Sequence, residues 1–224
     1  MPLIIILVEC GLELIPKQIR NHPAVKKNLS SSIYSSQLLD NALHFSAMKK
    51  LKNYEKRGRP DITHVCLLNA LGSPLNKNGN LLLFIHTINN KIFNINPEIR
   101  IARNYNRFKG LMAKLLIDGR IETKDTKLIE PFKGNLKELI AKFEHSEVYL
   151  FSSKGTLINN YKELFIGDLI KNYFVIIGGF QKSSFSKEII TLSENLISIS
   201  KHPLDAWATV NKVISYYELT YGIL

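Results

Sequence analysis

Three short stretches of this chain hold the residue types from which a binding chemistry can be built. In Arg59-Pro60-Asp61-Ile62-Thr63-His64 a carboxylate stands two residues from an arginine at a proline-fixed helix start. That arrangement can lock a guanidinium fork towards a phosphate or a base edge. A plainer reading makes Asp61 a helix cap and Arg59 a solvated loop residue. In Asn96 to Phe108, Arg100, Arg103 and Arg107 share one face if the segment is helical or turn-like. Tyr105 and Phe108 lie among them; guanidinium planes and aromatic rings together grip splayed RNA bases, while the alternative is that these rings anchor the loop to the core. The third stretch joins Ile177-Gly178-Gly179-Phe180 to Ile197 through Leu204. Glycines after a buried strand let backbone amides approach a ligand, and ligands lie at the C-terminal edge of parallel sheets.

Other chemistries find little support. There is neither a GxGxxG dinucleotide fingerprint nor a GxxxxGK[ST] phosphate loop. The six histidines are scattered and no His or Cys pair has ligand spacing, so no metal site is expected. Ser152 and Ser153 lack a Ser/His/Asp setting, and His44 and His86 fall in apolar patterns that suit core histidines. Cys10 and Cys66, each inside an apolar stretch, read as buried reduced thiols.

The composition points the same way. With 224 residues, 45% hydrophobic and 22% charged, the chain can bury a core and fold by itself. Lysine and arginine number 30 against 19 acidic residues, a net charge of +11 that calls for a polyanionic partner. Nucleic acid is preferred over a membrane surface, because no basic amphipathic helix with an aromatic face stands out. No apolar run nears the roughly 20 residues a membrane helix needs. The opening MPLIIILVEC lacks a basic start and is interrupted by Glu9, so it reads as a buried strand rather than a signal peptide. A cytoplasmic protein is expected.

The elements that must position these residues follow from periodicity. Leu3 to Val8 is a continuous apolar run of the parallel-strand kind. The spacing from Ser36 to Leu51 predicts an amphipathic helix, which leads into the basic run Lys49, Lys50, Lys52, Lys56, Arg57 and Arg59. Asp61 is expected to cap a helix from Ile62 to Leu71, ended by Gly72 and Pro74. Leu81–Thr87 and Lys91–Ile95 form a hairpin turning at Asn89 and Asn90. Beyond it, helix Leu136–Phe143, strand Val148–Phe151, helix Tyr161–Asp168, strand Tyr173–Ile177, strand Leu196–Ile199 and helix Leu204–Leu219 alternate as in α/β folds. The expectation is one α/β domain over residues 1–224, with residues 76–116 as an inserted hairpin and basic loop.

Together the motifs resemble those of the knotted SPOUT-superfamily methyltransferases that methylate N1 of pseudouridine in small-subunit ribosomal RNA. The resemblance runs along nearly the whole chain and is most specific in RGRPDITH (57–64), SPLNK (73–77), INPEIRIARNYNRFKGLM (95–112), IGGF (177–180) and ISISKHPLDA (197–206). It implies an α/β knot with a C-terminal trefoil, a homodimer, and S-adenosylmethionine as cofactor. The cofactor would be held by Gly178 and Ser183 in one loop and by Ile199, Ser200, Lys201, His202, Pro203 and Leu204 in the other, with Leu150 nearby. A pseudouridine-containing rRNA hairpin would meet Arg59, oriented by Asp61, and Arg100, Arg103 and Arg107; ribosome assembly proteins would be further partners. Two places depart from the family pattern. Gly72 stands where an aspartate usually precedes SPLNK, so no catalytic proton acceptor is assigned, and Gln181-Lys182-Ser183 replaces the usual proline and glycine after IGGF. Those departures motivate a second reading, a non-catalytic rRNA-binding assembly factor, and a blander third is a general basic RNA-binding protein.

Overall fold

The computed structural model describes residues 2–166 and 171–223. In chain order its elements are β1 (Leu3–Cys10), α1 (Pro23–Lys26), α2 (Tyr34–Gln37), α3 (Asn41–Met48), α4 (Pro60–Gly72), α5 (Pro74–Lys77), β2 (Leu81–Thr87), β3 (Ile92–Ile95), α6 (Tyr105–Asp118), β4 (Ile121–Glu122), β5 (Lys127–Phe132), α7 (Leu136–Ile140), β6 (Ser146–Leu157), β7 (Asn172–Gly178), α8 (Lys187–Ile190), β8 (Leu196–Ser198) and α9 (Ala206–Tyr221). One mixed sheet has the order β4-β5-β3-β2-β1-β7-β6-β8. From β2 to β8 the pairings are parallel; β3, β5 and β4 add an antiparallel flank. This is the α/β class expected from the alternation of elements.

β1 is buried along its whole length because it has neighbours on both edges and cover on both faces. Its alternation divides the core in two: Leu3, Ile5 and Leu7 pack with residues of α4, α6 and α9, whereas Ile4, Ile6 and Val8 pack with Leu136, Leu139 and Ile189 of α7 and α8. A satellite cluster of Ile15, Ile19, Val25, Leu39, Ala47, Met48 and Leu51 holds the α1–α3 region. The residue 76–116 segment contributes β2 to the middle of the sheet and shares its core, while the antiparallel flank begins at β3. Asn90 takes the left-handed conformation in the β2–β3 turn.

Several elements differ from the periodicity. The Ser36–Leu51 helix is broken: α2 stops at Gln37, Leu38 bridges to Leu14, and Asp40 caps α3 through Ala42 N–H at 3.0 Å. Asp40 favours that break because its other oxygen takes the Lys109 ammonium at 2.9 Å, a long-range partner that local spacing does not reveal. At α4 the cap position is Arg59, not Asp61, since Pro60 already occupies the first helical turn. The helix expected over Tyr161–Asp168 is a 3₁₀ turn at Tyr161–Glu163, and Gly167 and Asp168 lie outside the described residues.

β6 changes register against β8 between Phe151 and Thr156, so residues 152–155 bow out of the ladder. At Gly155 the backbone of Ile197 comes so close that a methyl group would lie about 2.5 Å from it. Gly155→Ala is therefore expected to cost about 1–3 kcal/mol through overpacking against main chain. Urea unfolding of the two proteins checks this; an unchanged midpoint would contradict the close packing of β6 on β8.

Candidate functional site

The C-terminal ends of β6, β7 and β8 open into a cavity of about 370 Å³. Its floor is Phe151, Ile177 and Ile197, one residue from each of these three strands; loop 178–185 and segment 198–204 form the walls, with Ala206 and Thr209 of α9. The bowed part of β6 supplies Ser152 and Ser153. Of the nine residues expected around a cofactor, Gly178, Ser183, Ile199, Ser200, His202, Pro203 and Leu204 line this space. Lys201 is exposed and does not line it. Leu150 is fully buried in the opposite core layer, because strand alternation sends it away from the face that Phe151 presents.

No aspartate or glutamate is among the lining residues, and the aromatic walls Phe180 and Phe185 meet edge to face at 6.1 Å. These rings, with Phe151, were not singled out from sequence, although Phe180 ends the IGGF motif. Serine hydroxyls shape the second wall: Ser198 Oγ donates to Ser200 O at 2.8 Å and Ser200 Oγ accepts His202 N–H at 3.0 Å. The Lys154 ammonium donates to Ser184 Oγ at 2.6 Å and joins β6 to the first loop. Gly179 N–H donates to Val8 O at 2.8 Å, which ties the turn after β7 to the end of β1. Gln181, Lys182 and Ser183, which depart from the family pattern, still face the cavity.

Arg59 and Asp61 do pair, through Nε–Oδ1 at 2.8 Å and Nη2–Oδ2 at 2.6 Å. This two-pronged contact raises the guanidinium's pKa further, against the opposing effect of partial burial. The other arginines are displayed differently from expectation. Residues 96–104 are not helical; Ile99 and Ile101 turn into the core and leave Arg100 and Arg103 exposed, while Arg107 sits in the first turn of α6. Asn76 Nδ2 donates to Pro97 O at 3.0 Å, and the His64 ring bonds Ala102 O at 2.7 Å, so α4 and α5 pin this segment from beneath. Phe108 is fully buried, stacked on His64 at 4.3 Å, and Tyr105 points its hydroxyl to Asp40 at 3.3 Å. The aromatics thus anchor the segment and are not free to stack on bases. Arg100, Arg103 and Arg107 form no ion pair among the described residues.

The basic run before Arg59 is also divided. Lys49, Lys50 and Lys52 are exposed, but Lys56 is buried on Glu9 at 2.7 Å and Arg57 grips Glu13 through two bonds of 2.6 and 2.5 Å. Glu9 itself has a φ of 52°, a left-handed conformation that costs a non-glycine residue roughly 1–2 kcal/mol. Its N–H donates to His86 Nδ1 at 3.2 Å. Gly72 sits at the exposed end of α4 and is not part of the cavity wall. Cys10 and Cys66 are free and buried, and burial pushes the Cys10 thiol up to about 12.

His86 and His44 share one feature: each accepts a backbone N–H at Nδ1, from Glu9 and from Asp40 respectively. Only a neutral ring can accept there, and burial lowers both pKa values below the ordinary 6.5 despite nearby carboxylates. Below that pH the unfolded chain takes up protons that the folded one refuses, so stability is full above about pH 6.5 and declines as pH falls. The urea midpoint is expected to drop between about pH 7 and pH 5.5, with a shallower drop in His86→Gln; equal slopes would exclude His86 as a source.

Comparison with known proteins adds a family. A model described as EMG1/NEP1 methyltransferase matches residues 5–218. The ribosomal RNA small subunit methyltransferase Nep1 of Staphylothermus marinus is 43% identical over 227 residues, spanning 100% of this chain and 98% of that protein. The protein of the same description from Thermococcus sibiricus is 39% identical, over 96% of each. Among solved structures, Archaeoglobus fulgidus Nep1 bound to S-adenosylhomocysteine superposes with a TM-score of 0.86 and 36% identity, covering 99% of this chain and 100% of that one.

Proposed function

The chain belongs to the EMG1/NEP1 methyltransferase family, and from that premise we propose that it transfers a methyl group from S-adenosylmethionine to N1 of a pseudouridine in small-subunit ribosomal RNA. In this reading it acts in the cytoplasm as a homodimer during ribosome assembly, alongside assembly proteins. The observation that carries it is the wall of the cavity: seven residues that the motifs assign to the donor, from Gly178 to Leu204, face one space at the C-terminal sheet edge. A related structure was solved with S-adenosylhomocysteine. A knotted C-terminal part is in keeping with a strand order in which the chain enters β7 between β1 and β6, both already laid down.

The cavity's chemistry suits such a donor. About 370 Å³ lies within the size range of small-ligand sites, and the lining is aromatic and aliphatic with serine and threonine hydroxyls, Gln181, Lys182 and His202. When bound, S-adenosylmethionine supplies a methyl on a sulfonium whose positive charge disappears on transfer. Phe151, Ile177 and Ile197 keep water from that centre, and the absence of a lining carboxylate means no ion pair would hold the charge back in the ground state. The acceptor must be unstacked and turned out of its loop to reach the pocket. Arg59, oriented by Asp61, and the exposed Arg100, Arg103 and Arg107 would hold the RNA backbone on either side.

Incubation with labelled donor and a pseudouridine-containing hairpin, beside its uridine counterpart, tests the reaction. Label is expected in the first RNA only. Equal label in both would refute the N1 assignment, whereas no label despite S-adenosylhomocysteine uptake would favour the assembly-factor reading that Gly72 motivates. Separately, alanine at Arg100, Arg103 or Arg107 should weaken hairpin binding and flatten its salt dependence by about one unit of slope per lost phosphate contact. An unaltered slope in all three variants would remove them from the interface.

A further inference from the structure

We propose that the buried Glu9–Lys56 pair is a positioning element that holds the loop of residues 178–186 over the donor cavity and couples its occupation to RNA binding. The coupling rests on the functional reading above; the tether does not. Glu9 Oε2 accepts Lys56 Nζ at 2.7 Å and Ser186 N–H at 3.3 Å. Ser186 is where the loop ends and α8 begins, its hydroxyl capping Ile189 N–H at 3.4 Å. The same Lys56 ammonium lies 4.8 Å from the centre of the Phe180 ring, near the start of that loop, and Phe180 rests on Phe185. One carboxylate and one ammonium therefore touch both ends of a cavity wall. Both residues are about 93% buried, so water screens neither charge.

On its other side the pair belongs to the RNA-facing segment. The backbone of residues 56–59 presses on the chain just beyond β1, where a methyl at Gly11 would meet Lys56 O at 2.9 Å and Arg59 N at 2.8 Å. Arg59 follows Lys56 by three residues and is itself fixed by Asp61. A shift of this segment on RNA contact would move the Lys56 ammonium, and with it Phe180 and Ser186. Conversely, a filled cavity that fixes Phe180 would hold Lys56, and thus the Arg59 backbone, in place. Such linkage is reciprocal by thermodynamic necessity.

Removing one partner alone would strand a buried charge and could unfold the chain, so the informative protein is the double variant Glu9→Met, Lys56→Met, which removes both charges and the acceptor of Ser186 N–H at similar side-chain volume. Hydrogen exchange without ligand should show the Ser186 amide, which the Glu9 carboxylate holds, opening about tenfold faster, with β1 and β7 as in the parent protein. Calorimetry with S-adenosylhomocysteine should show affinity about tenfold weaker, and the factor by which a pseudouridine hairpin tightens that affinity should fall towards one. Unchanged loop exchange would overturn the tether. A preserved hairpin factor would overturn the coupling even if affinity falls, because a merely structural pair would leave that factor alone. If the parent protein takes up no S-adenosylhomocysteine, the donor reading and the coupling fall together, and loop exchange alone decides the tether.

Discussion

A parallel strand buried on every side ends inside protein, and its last polar groups have no water to turn to. β1 meets this constraint with one extra residue against β2 and a left-handed Glu9. The groups so displaced are taken up by other parts of the chain: Val8 O by Gly179 N–H after β7, Glu9 N–H by His86 and Cys10 O by Ile88 N–H at the end of β2, with Leu12 N–H also on Cys10 O. Satisfying one strand end thus gathers the turn after β7, the β2–β3 hairpin and the segment before α4 at a single place. The cavity wall and the segment that leads to Arg59 are neighbours because both are moored to that end, one through Gly179 and the other through Lys56 on Glu9.

The mooring explains the acidic residues as well as the turns. Glu9, Glu13 and Asp40 are almost fully buried, and each carries a lysine or arginine drawn from elsewhere in the chain. A buried ion pair adds little net stability over an apolar pair, since desolvation offsets the attraction, but losing one partner costs about 3–5 kcal/mol. Pairs of this kind penalise wrong arrangements more than they reward the right one. They suit joints that must keep a fixed geometry, such as that between β1, the basic segment and α6.

What the sequence reveals follows the range of the forces involved. β1 and β7 are legible because continuous apolar runs need no partner to be recognised, and the β2–β3 turn because Asn90 tolerates the left-handed conformation. The Ser36–Leu51 helix misleads because its four-residue spacing is real, yet Asp40 answers to Lys109, sixty-nine residues away. Arg100 and Arg103 reach solvent by the alternation of an extended segment, with Ile99 and Ile101 inward, and not by a helical face. Leu150 follows the same two-residue period into the wrong layer. The two cavity loops are legible as glycines that follow a buried strand at the sheet edge, and residue by residue only through motif resemblance: no period or charge pattern marks Phe180 or Phe185 as walls.

Two demands on charge pull against each other in such a molecule. A polyanionic partner asks for cations, and the net charge of +11 supplies them; a pocket for a cationic donor asks that nearby cations be silenced. The pairing pattern separates the two for the buried cations, although Lys182 lines the cavity wall with no ion pair among the described residues. Lys56, which reaches the cavity wall, is neutralised by Glu9, and the adjoining Arg57 by Glu13, whereas Arg100, Arg103, Arg107 and Lys49, Lys50 and Lys52 stay exposed. Arg59 lies between these regimes, bound to Asp61 yet partly open, with a carboxylate that orients it while reducing its field. Neutralising Lys56 and Arg57 by position, instead of lowering the number of cations, lets one small domain carry an exposed basic surface and a cavity whose floor is apolar.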